Sequence, residues 1–180
     1  LASPIMRTPS ISFILSVDVY SSHLRFLFEL IQNVDDCDYA DLGRVELDIK
    51  TDFNKGRIIL TYNEVGFTPY NVFAITGIAE ASKNISSAKV EIGEKGIGFK
   101  SAFGVADKVL IQSGKFSCEL HKNNFTIPEP YYDDFEEIEG TRLTLFVEPH
   151  TVKQIYDTFV SKYKDKEAIL NQNPVLFLNK

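Results

Sequence analysis

Segments with the period of a helix alternate along this chain with short strand-like segments, and this order constrains the fold more than any other feature. The first helical pattern covers residues 24–34, whose apolar positions follow the i, i+3, i+4, i+7 spacing of one buried stripe. Ser21 or Ser22 is its expected N-cap. Residues 45–49 alternate apolar and polar side chains, and residues 57–62 follow after a turn, which predicts a β-hairpin.

The later segments continue this alternation. The remaining predicted elements are a helix from Pro69 through Ile78, a helix over residues 99–105, a hairpin of residues 108–112 and 115–121, a strand over residues 141–147 and a helix over residues 152–170. The polar residues 82–89 are predicted to be mobile, and the acidic and aromatic residues 128–140 to be a loop. This order of helices and strands predicts an α/β two-layer sandwich.

Length and charge limit the class of protein. With 180 residues, 44% of them apolar, the chain can bury a sizeable core, and we expect residues 1–180 to form a single domain. Residues 1–20 are expected to be an N-terminal extension and residues 150–180 a C-terminal helix that leads into a longer protein. The formal net charge of −6 argues against a nucleic-acid surface that relies on bulk positive charge, and no apolar run suffices for a membrane span.

The cysteine content indicates the compartment. Cys37 and Cys118 are far apart in the sequence and do not form a disulfide framework or a metal-binding motif. The N-terminus lacks the charged and apolar regions of a signal peptide. We therefore expect two reduced thiols in an intracellular protein, cytoplasmic or nuclear.

The first predicted helix carries a polar stripe opposite its apolar one. Glu29, Asn33 and Asp36 fall on one narrow face at helical spacing. A carboxylate one turn from a carboxamide suits magnesium and water chemistry, because Mg²⁺ prefers oxygen ligands and keeps several waters. The alternative is the ordinary solvated face of an amphipathic helix.

A glycine-rich segment precedes the third predicted helix. Gly93, Gly96 and Gly98 allow the backbone to approach a ligand closely, and the N–H groups of a helix start favour anions. Lys95 and Lys100 add positive charge there. The alternative is a turn with a helix cap. The spacing is neither a dinucleotide-binding fingerprint nor a P-loop.

Two further segments join strands to their neighbours. Residues 62–68, with the sequence YNEVGFT, run from a strand end towards a helix, and Gly140 and Thr141 precede the last strand. Each segment is also explained by a simple turn.

Together, the order and spacing of these segments resemble the GHKL ATPases, the superfamily of gyrase B, heat-shock chaperones, histidine kinases and MutL. The resemblance covers residues 24–147. At residues 92–109, IGEKGIGFKSAFGVADKV, the chain is similar to the chaperone branch of the superfamily. The strings FELIQNVDD, YNEVGFT and NPVLFLNK look more like NO VEIN-like and sacsin-like proteins.

The resemblance implies a Bergerat (histidine kinase-like ATPase) fold, in which helices cover one face of a mixed β-sheet and ATP binds between the layers. It implies that Glu29 is the general base, that Asn33 coordinates Mg²⁺ and that residues 82–92 form an ATP lid. The other implied nucleotide-binding residues are Asp36, Asn63, Gly66, Lys83, Gly93, Lys95, Gly96, Ile97, Gly98, Phe99 and Thr141. The implied cofactors are ATP and Mg²⁺.

One motif departs from the family pattern Asp-x-Gly-x-Gly, whose Asp binds the adenine amino group. Aligned on Gly66, the chain has Tyr62 in place of that Asp and Glu64 in place of the first glycine. Asn63 could supply the hydrogen bond after a shift of one residue.

Three functions follow from the resemblance. The first is slow Mg²⁺-dependent ATP hydrolysis that drives lid movement in a larger chaperone-like or scaffold protein, with client proteins or neighbouring domains as partners. The second, suggested by the missing Asp, is a protein-interaction module on the same fold that binds nucleotide without hydrolysis or needs none. The third, a histidine-kinase catalytic domain, is weaker because no phosphoacceptor helix is visible and His23, His121 and His150 are isolated.

Overall fold

A computed structural model describes residues 24–39, 45–76, 98–132 and 137–164 of the protein. These residues contain the α-helices α1 (Arg25–Asp35), α2 (Pro69–Thr76) and α3 (Pro149–Lys164), the helical residues 98–100, and two 3-10 turns, Ser101–Gly104 and Lys122–Asn124. The strands are β1 (Leu47–Asp52), β2 (Arg57–Tyr62), β3 (Ala106–Gly114), β4 (Phe116–His121), β5 (Glu129–Pro130) and β6 (Ile138–Val147).

The six strands form one sheet in the order β1-β2-β6-β3-β4-β5. Strand β6 comes last in the chain but lies between β2 and β3, and it runs antiparallel to both. The other pairs are antiparallel as well. The expectation of a mixed sheet is therefore wrong for the strands that the structure describes, while the α/β architecture is confirmed.

Local turn chemistry explains the β1–β2 hairpin, which the sequence predicted. The Asp52 carboxylate accepts hydrogen bonds from the backbone N–H groups of Asn54 and Lys55, at 3.1 and 3.0 Å. Gly56 has a φ of 62°, a left-handed conformation that side chains disfavour. The predicted β3–β4 hairpin is also present, with Ser113 paired to Phe116 across its turn.

The core lies between one face of the sheet and the apolar stripe of α1. The stripe residues are buried in the same hydrophobic cluster as the sheet residues that face them; these are Phe26, Leu27, Leu30, Ile31 and Val34 on the helix and Ile58, Leu60, Val109, Ile111, Leu120, Leu143 and Leu145 on the strands. Val152 and Ile155 of α3 join the cluster. The two-layer arrangement places the polar stripe of α1 away from this core.

Several element boundaries differ from the sequence prediction. Helix α1 has Leu24 at its N-cap with no side-chain capping bond, so the expectation of a serine N-cap is wrong. Residues 98–100 are α-helical, but the chain then tightens into the 3-10 turn Ser101–Gly104. The predicted loop over residues 128–140 contains β5 and the start of β6.

The predicted last helix is present as α3, which begins earlier than expected, at Pro149. The predicted continuation of α2 to Ile78, the segment over residues 82–89 and the helix beyond residue 164 lie outside the described residues. Within the described part of the chain, no helix is both long and apolar enough to cross a membrane.

Candidate functional site

A cavity of about 370 Å³ opens between α1, α2 and the loop that follows β2. Its walls combine apolar side chains with polar ones; the lining residues are Leu30, Asn33, Asp36, Cys37, Asp38, Tyr62, Glu64, Val65, Gly66, Phe67, Thr68, Asn71, Ile75, Phe99 and Leu143. Its volume lies within the range of about 300–1,000 Å³ that is typical of small-molecule sites.

The polar stripe of α1 meets the start of the helical segment at residue 98. A Cβ placed on Gly98 would lie 3.2 Å from Oε2 of Glu29 and 3.4 Å from Oδ1 of Asn33. These distances are shorter than most Cβ contacts, so a side chain here would displace the ends of Glu29 and Asn33 by a few tenths of an ångström, and glycine leaves them in place. The structure thus brings together three residues that are separated by up to 69 positions in sequence.

Glu29 lies at the solvent boundary of this cluster. Its side chain is 33% exposed, and its Oε1 lies 3.6 Å from Nε of Arg25, one turn earlier on the helix. Because this pair is largely exposed, it contributes little to stability. Because the Glu29 side chain is partly exposed, its carboxylate can contact water.

The end of α1 forms one side of the cavity. Asp36 lines it and is exposed, whereas Asp35 is buried. The partly exposed Cys37 also lines the cavity, and its thiol donates a hydrogen bond of 3.1 Å to the backbone carbonyl of Asn33. Asn33 itself lines the cavity, so its carboxamide lies at the junction of the cavity with Gly98.

The loop after β2 is held by hydrogen bonds from both sides. The N–H of Val65 donates to the carbonyl of Asp38 at 3.0 Å, and the N–H of Phe67 donates to Ser113 Oγ at 2.7 Å. Gly66 has a φ of 98° and lines the cavity. A positive φ at this turn explains the glycine, as the motif suggested.

Thr141 lies behind this loop rather than on the cavity surface. It is fully buried, pairs with Tyr62 across β2 and β6, and shares a hydrogen bond of 2.6 Å with Ser113 Oγ. It therefore supports the loop at residues 66–67 through Ser113. Phe99, which is also a predicted site residue, is buried and lines the cavity.

Asn63 does not line the cavity. Its Oδ1 accepts a hydrogen bond of 2.7 Å from the N–H of Glu46, and its own N–H donates to the Glu46 carbonyl. These bonds tie the end of β2 to the residues just before β1. In this arrangement the Asn63 carboxamide oxygen bonds Glu46 instead of facing the cavity, and the role of Asn63 in place of the missing Asp stays a prediction.

Glu64 is the residue that sequence reasoning missed. Its side chain is only 6% exposed, and it lines the cavity. The buried Tyr62 side chain interacts with the Glu64 carboxylate: burial first, and then the negative charge of Glu64, raise the pKa of Tyr62 well above its usual value of 10.0. The available signal was an acidic residue where the motif has glycine.

The remaining predicted site residues, Lys83, Gly93, Lys95, Gly96 and Ile97, lie outside the described residues. Within the described ranges, no group of three or more His, Cys, Asp or Glu side chains could hold a metal ion. The oxygen donors available on the stripe are the Asn33 carboxamide and the carboxylates of Glu29 and Asp36. This donor set fits Mg²⁺, which proteins commonly hold with one or two side chains together with phosphates and water.

Comparison with known proteins relates the chain to two kinds of protein. It is 34% identical over 141 residues to Protein NO VEIN of Arabidopsis thaliana, a match that covers 78% of this chain and 5% of that protein. It is 28% identical over 179 residues to Chaperone protein HtpG of Clostridium perfringens, which covers 84% of this chain and 28% of HtpG. With HtpG of Rickettsia bellii the identity is 33% over 120 residues, or 54% of this chain and 19% of HtpG.

The chain therefore spans less than a third of the length of each of these relatives. No family model matches it.

Proposed function

We propose that this chain is an ATP-binding domain of the GHKL type that hydrolyses ATP slowly with Mg²⁺ and belongs to a larger chaperone-like or scaffold protein. The observation that carries the proposal is the meeting of Glu29 and Asn33 with Gly98 beside the cavity. Similarity to NO VEIN and to HtpG, whose name describes a chaperone, supports the same assignment.

The cavity suits a nucleotide in its size and its walls. Leu30, Phe99 and Leu143 supply apolar surface for a flat base, while Asn33 and Asp36 supply oxygen atoms. Apolar walls with a few placed polar groups are typical of sites that bind small molecules.

In this proposal Glu29 and Asn33 each have one task. Glu29, partly exposed, orients a water molecule and takes its proton, and Asn33 holds Mg²⁺ together with the nucleotide phosphates. When bound, Mg²⁺ neutralises phosphate charge, which is a main source of catalysis in phosphoryl transfer. Gly98 leaves room for the phosphates because it has no side chain to occupy the space next to Glu29 and Asn33.

The resemblance adds that nucleotide state is coupled to lid movement and that the partners are client proteins or neighbouring domains. These features belong to the proposal and need the longer protein to be tested. ATP binding and hydrolysis can be tested on the 180-residue chain.

Nucleotide binding is tested by thermal unfolding with Mg-ATP, with Mg-ADP and without nucleotide. A ligand present at 100 times its Kd stabilises a protein by about 2.7 kcal/mol, which raises the Tm of a domain of this size by about 5–10 °C. The absence of a shift at millimolar nucleotide would overturn the proposal.

Hydrolysis is tested with Glu29→Ala. General-base catalysis contributes about 10²–10⁴-fold, so we expect kcat for ATP hydrolysis to fall by at least about 100-fold while Mg-ATP still binds. Asp157→Ala is the matched control, because Asp157 is also an exposed acidic residue on a helix and does not line the cavity.

Two outcomes would contradict the assignment of Glu29. If Glu29→Ala hydrolyses ATP at the wild-type rate, Glu29 is not the base. If the wild type binds ATP and does not hydrolyse it, the domain is the non-hydrolysing interaction module.

A further inference from the structure

A buried carboxylate lies in the cavity wall at a place that the proposed catalytic residues do not use. Glu64 follows the end of β2, is 6% exposed and lines the cavity. The other carboxylates that line the cavity, Asp36 and Asp38, are exposed to solvent. Glu64 is therefore the acidic group from which a bound ligand would exclude the remaining water most completely.

The neighbours of Glu64 along the chain limit where its carboxylate lies. The Tyr62 side chain interacts with Glu64 from the end of the same strand, where both side chains are buried. The backbone on its other side is held by the bond from the Val65 N–H to the carbonyl of Asp38. Asn63, between Tyr62 and Glu64, is bonded to Glu46 and does not line the cavity.

The chemistry of a carboxylate selects what it can bind. An ionised carboxylate accepts hydrogen bonds and donates none, so a ligand group beside Glu64 must supply an N–H or O–H. A phosphate cannot occupy this place favourably, because it carries charge of the same sign. In a nucleotide, the base and the ribose hydroxyls can both supply such a donor, and the apolar walls favour the flat base.

We propose that Glu64 binds the exocyclic amino group of adenine and so selects ATP, with Tyr62 as the residue that positions its carboxylate. This inference rests on the proposed nucleotide-binding function. It assigns base recognition to a side chain two residues beyond the position at which the family motif carries its Asp.

The test compares ATP with purine riboside 5′-triphosphate, which lacks the 6-amino group, by calorimetric titration in the presence of Mg²⁺. The wild-type chain is expected to bind ATP at least about tenfold more tightly, since a hydrogen bond to a charged group is worth about 1.5–3 kcal/mol and 1.4 kcal/mol is a factor of ten. GTP, which lacks a 6-amino group, is expected to bind more weakly than ATP.

Variants connect this selectivity to Glu64. Glu64→Ala and Glu64→Gln are expected to bind ATP at least about tenfold and several-fold more weakly, respectively, while the affinity for purine riboside triphosphate changes little. Tyr62→Phe is expected to reduce the ATP preference in part. Glu46→Gln is the control: Glu46 is an exposed carboxylate next to Asn63 and does not line the cavity.

The outcomes separate this inference from the function on which it rests. If the wild type binds none of the three nucleotides, the proposed function fails. If it binds ATP and the amino-free analogue equally, or GTP more tightly than ATP, nucleotide binding stands and the role of Glu64 is overturned. Because this comparison uses the wild-type chain, it holds even if a Glu64 variant does not fold.

Discussion

Gly140 shows how a single residue shapes the wall beside the cavity. Its φ is 78°, and a Cβ at this position would lie 2.2 Å from the backbone oxygen of Tyr62 and 2.9 Å from the Cα of Asn63. The β2–β6 pairing at Tyr62 and Thr141 therefore requires a residue without a side chain immediately before Thr141.

We expect Gly140→Ala to lower the free energy of unfolding by more than about 2 kcal/mol. The left-handed conformation alone costs a residue with a Cβ about 1–2 kcal/mol, and the contact with Tyr62 adds to it. Gly114→Ala is the matched control, because Gly114 has a φ of 55° and open space around it. Urea denaturation of both variants tests this prediction. If both variants lose the same free energy of unfolding, the contact of the added Cβ with Tyr62 adds no destabilisation, and the prediction is contradicted.

The sequence predicted which residues belong to the site more readily than it predicted where their side chains lie. The stripe of Glu29, Asn33 and Asp36 follows from helical spacing alone, and the structure has it on α1. Which of two neighbours, Asn63 or Glu64, lines the cavity depends on the side to which successive residues point at the end of β2. A shift of one residue reverses that side, so the motif could not decide it.

At the scale of elements, β6 holds the sheet together because it joins the β1–β2 hairpin to strands β3 and β4. Leu145 lies in its middle, pairs with Ile58 on one side and Val109 on the other, and is fully buried. Its side chain contributes to the core on the face that also contacts α1.

We expect Leu145→Ala to lower the free energy of unfolding by about 2–5 kcal/mol, because it removes buried methyl groups and leaves a cavity where the neighbours cannot close in. Ile127→Ala is expected to change it by less than about 0.5 kcal/mol, since Ile127 is 57% exposed. Chemical denaturation checks both values. A loss below about 1 kcal/mol for Leu145→Ala would mean that β6 repacks readily.

The hairpins were predictable and the order of the sheet was not. Asp52 and Gly56 specify the β1–β2 turn within a few residues, so local sequence suffices there. The insertion of β6 between β2 and β3 depends on contacts between distant segments. Residues 128–140 were predicted to be a loop because they are rich in acidic and aromatic side chains, and the strand β5 within them has only two residues.

At the scale of the whole molecule, the two cysteine thiols are expected to react in different states of the protein, one when it is folded and the other when it is unfolded. Cys118 is buried in the sheet, and burial, with a smaller effect of Glu119, raises the pKa of its thiol from 9.0 to about 12. The protonated thiol in the folded state contributes stability that is present below pH 9 and is lost as the pH rises from about 9 to 12. Cys37 is partly exposed and lines the cavity.

With iodoacetamide at pH 8, we expect Cys37 to react in the folded protein and Cys118 to react only after unfolding. A stability of about 5–15 kcal/mol would slow the reaction of Cys118 by more than about 10³-fold. Mg-ATP is expected to slow the alkylation of Cys37, and Cys37→Ser identifies the modified residue by mass spectrometry. Equal protection of both thiols would indicate general stabilisation; unchanged reactivity of Cys37 would argue against a nucleotide in this cavity.

Among the strands that the structure describes, β5 and β1 lie at the two margins of the sheet. On one side, β5 has only two residues, one of them Pro130, which has no N–H to offer to another strand. On the other side, β1 carries Asp48 and Lys50, whose side chains form an ion pair of 2.7 Å. Short, charged or proline-containing borders discourage strand exchange between neighbouring molecules. The described margins of the sheet therefore disfavour pairing with a strand of another copy, which matters where many copies are synthesised side by side.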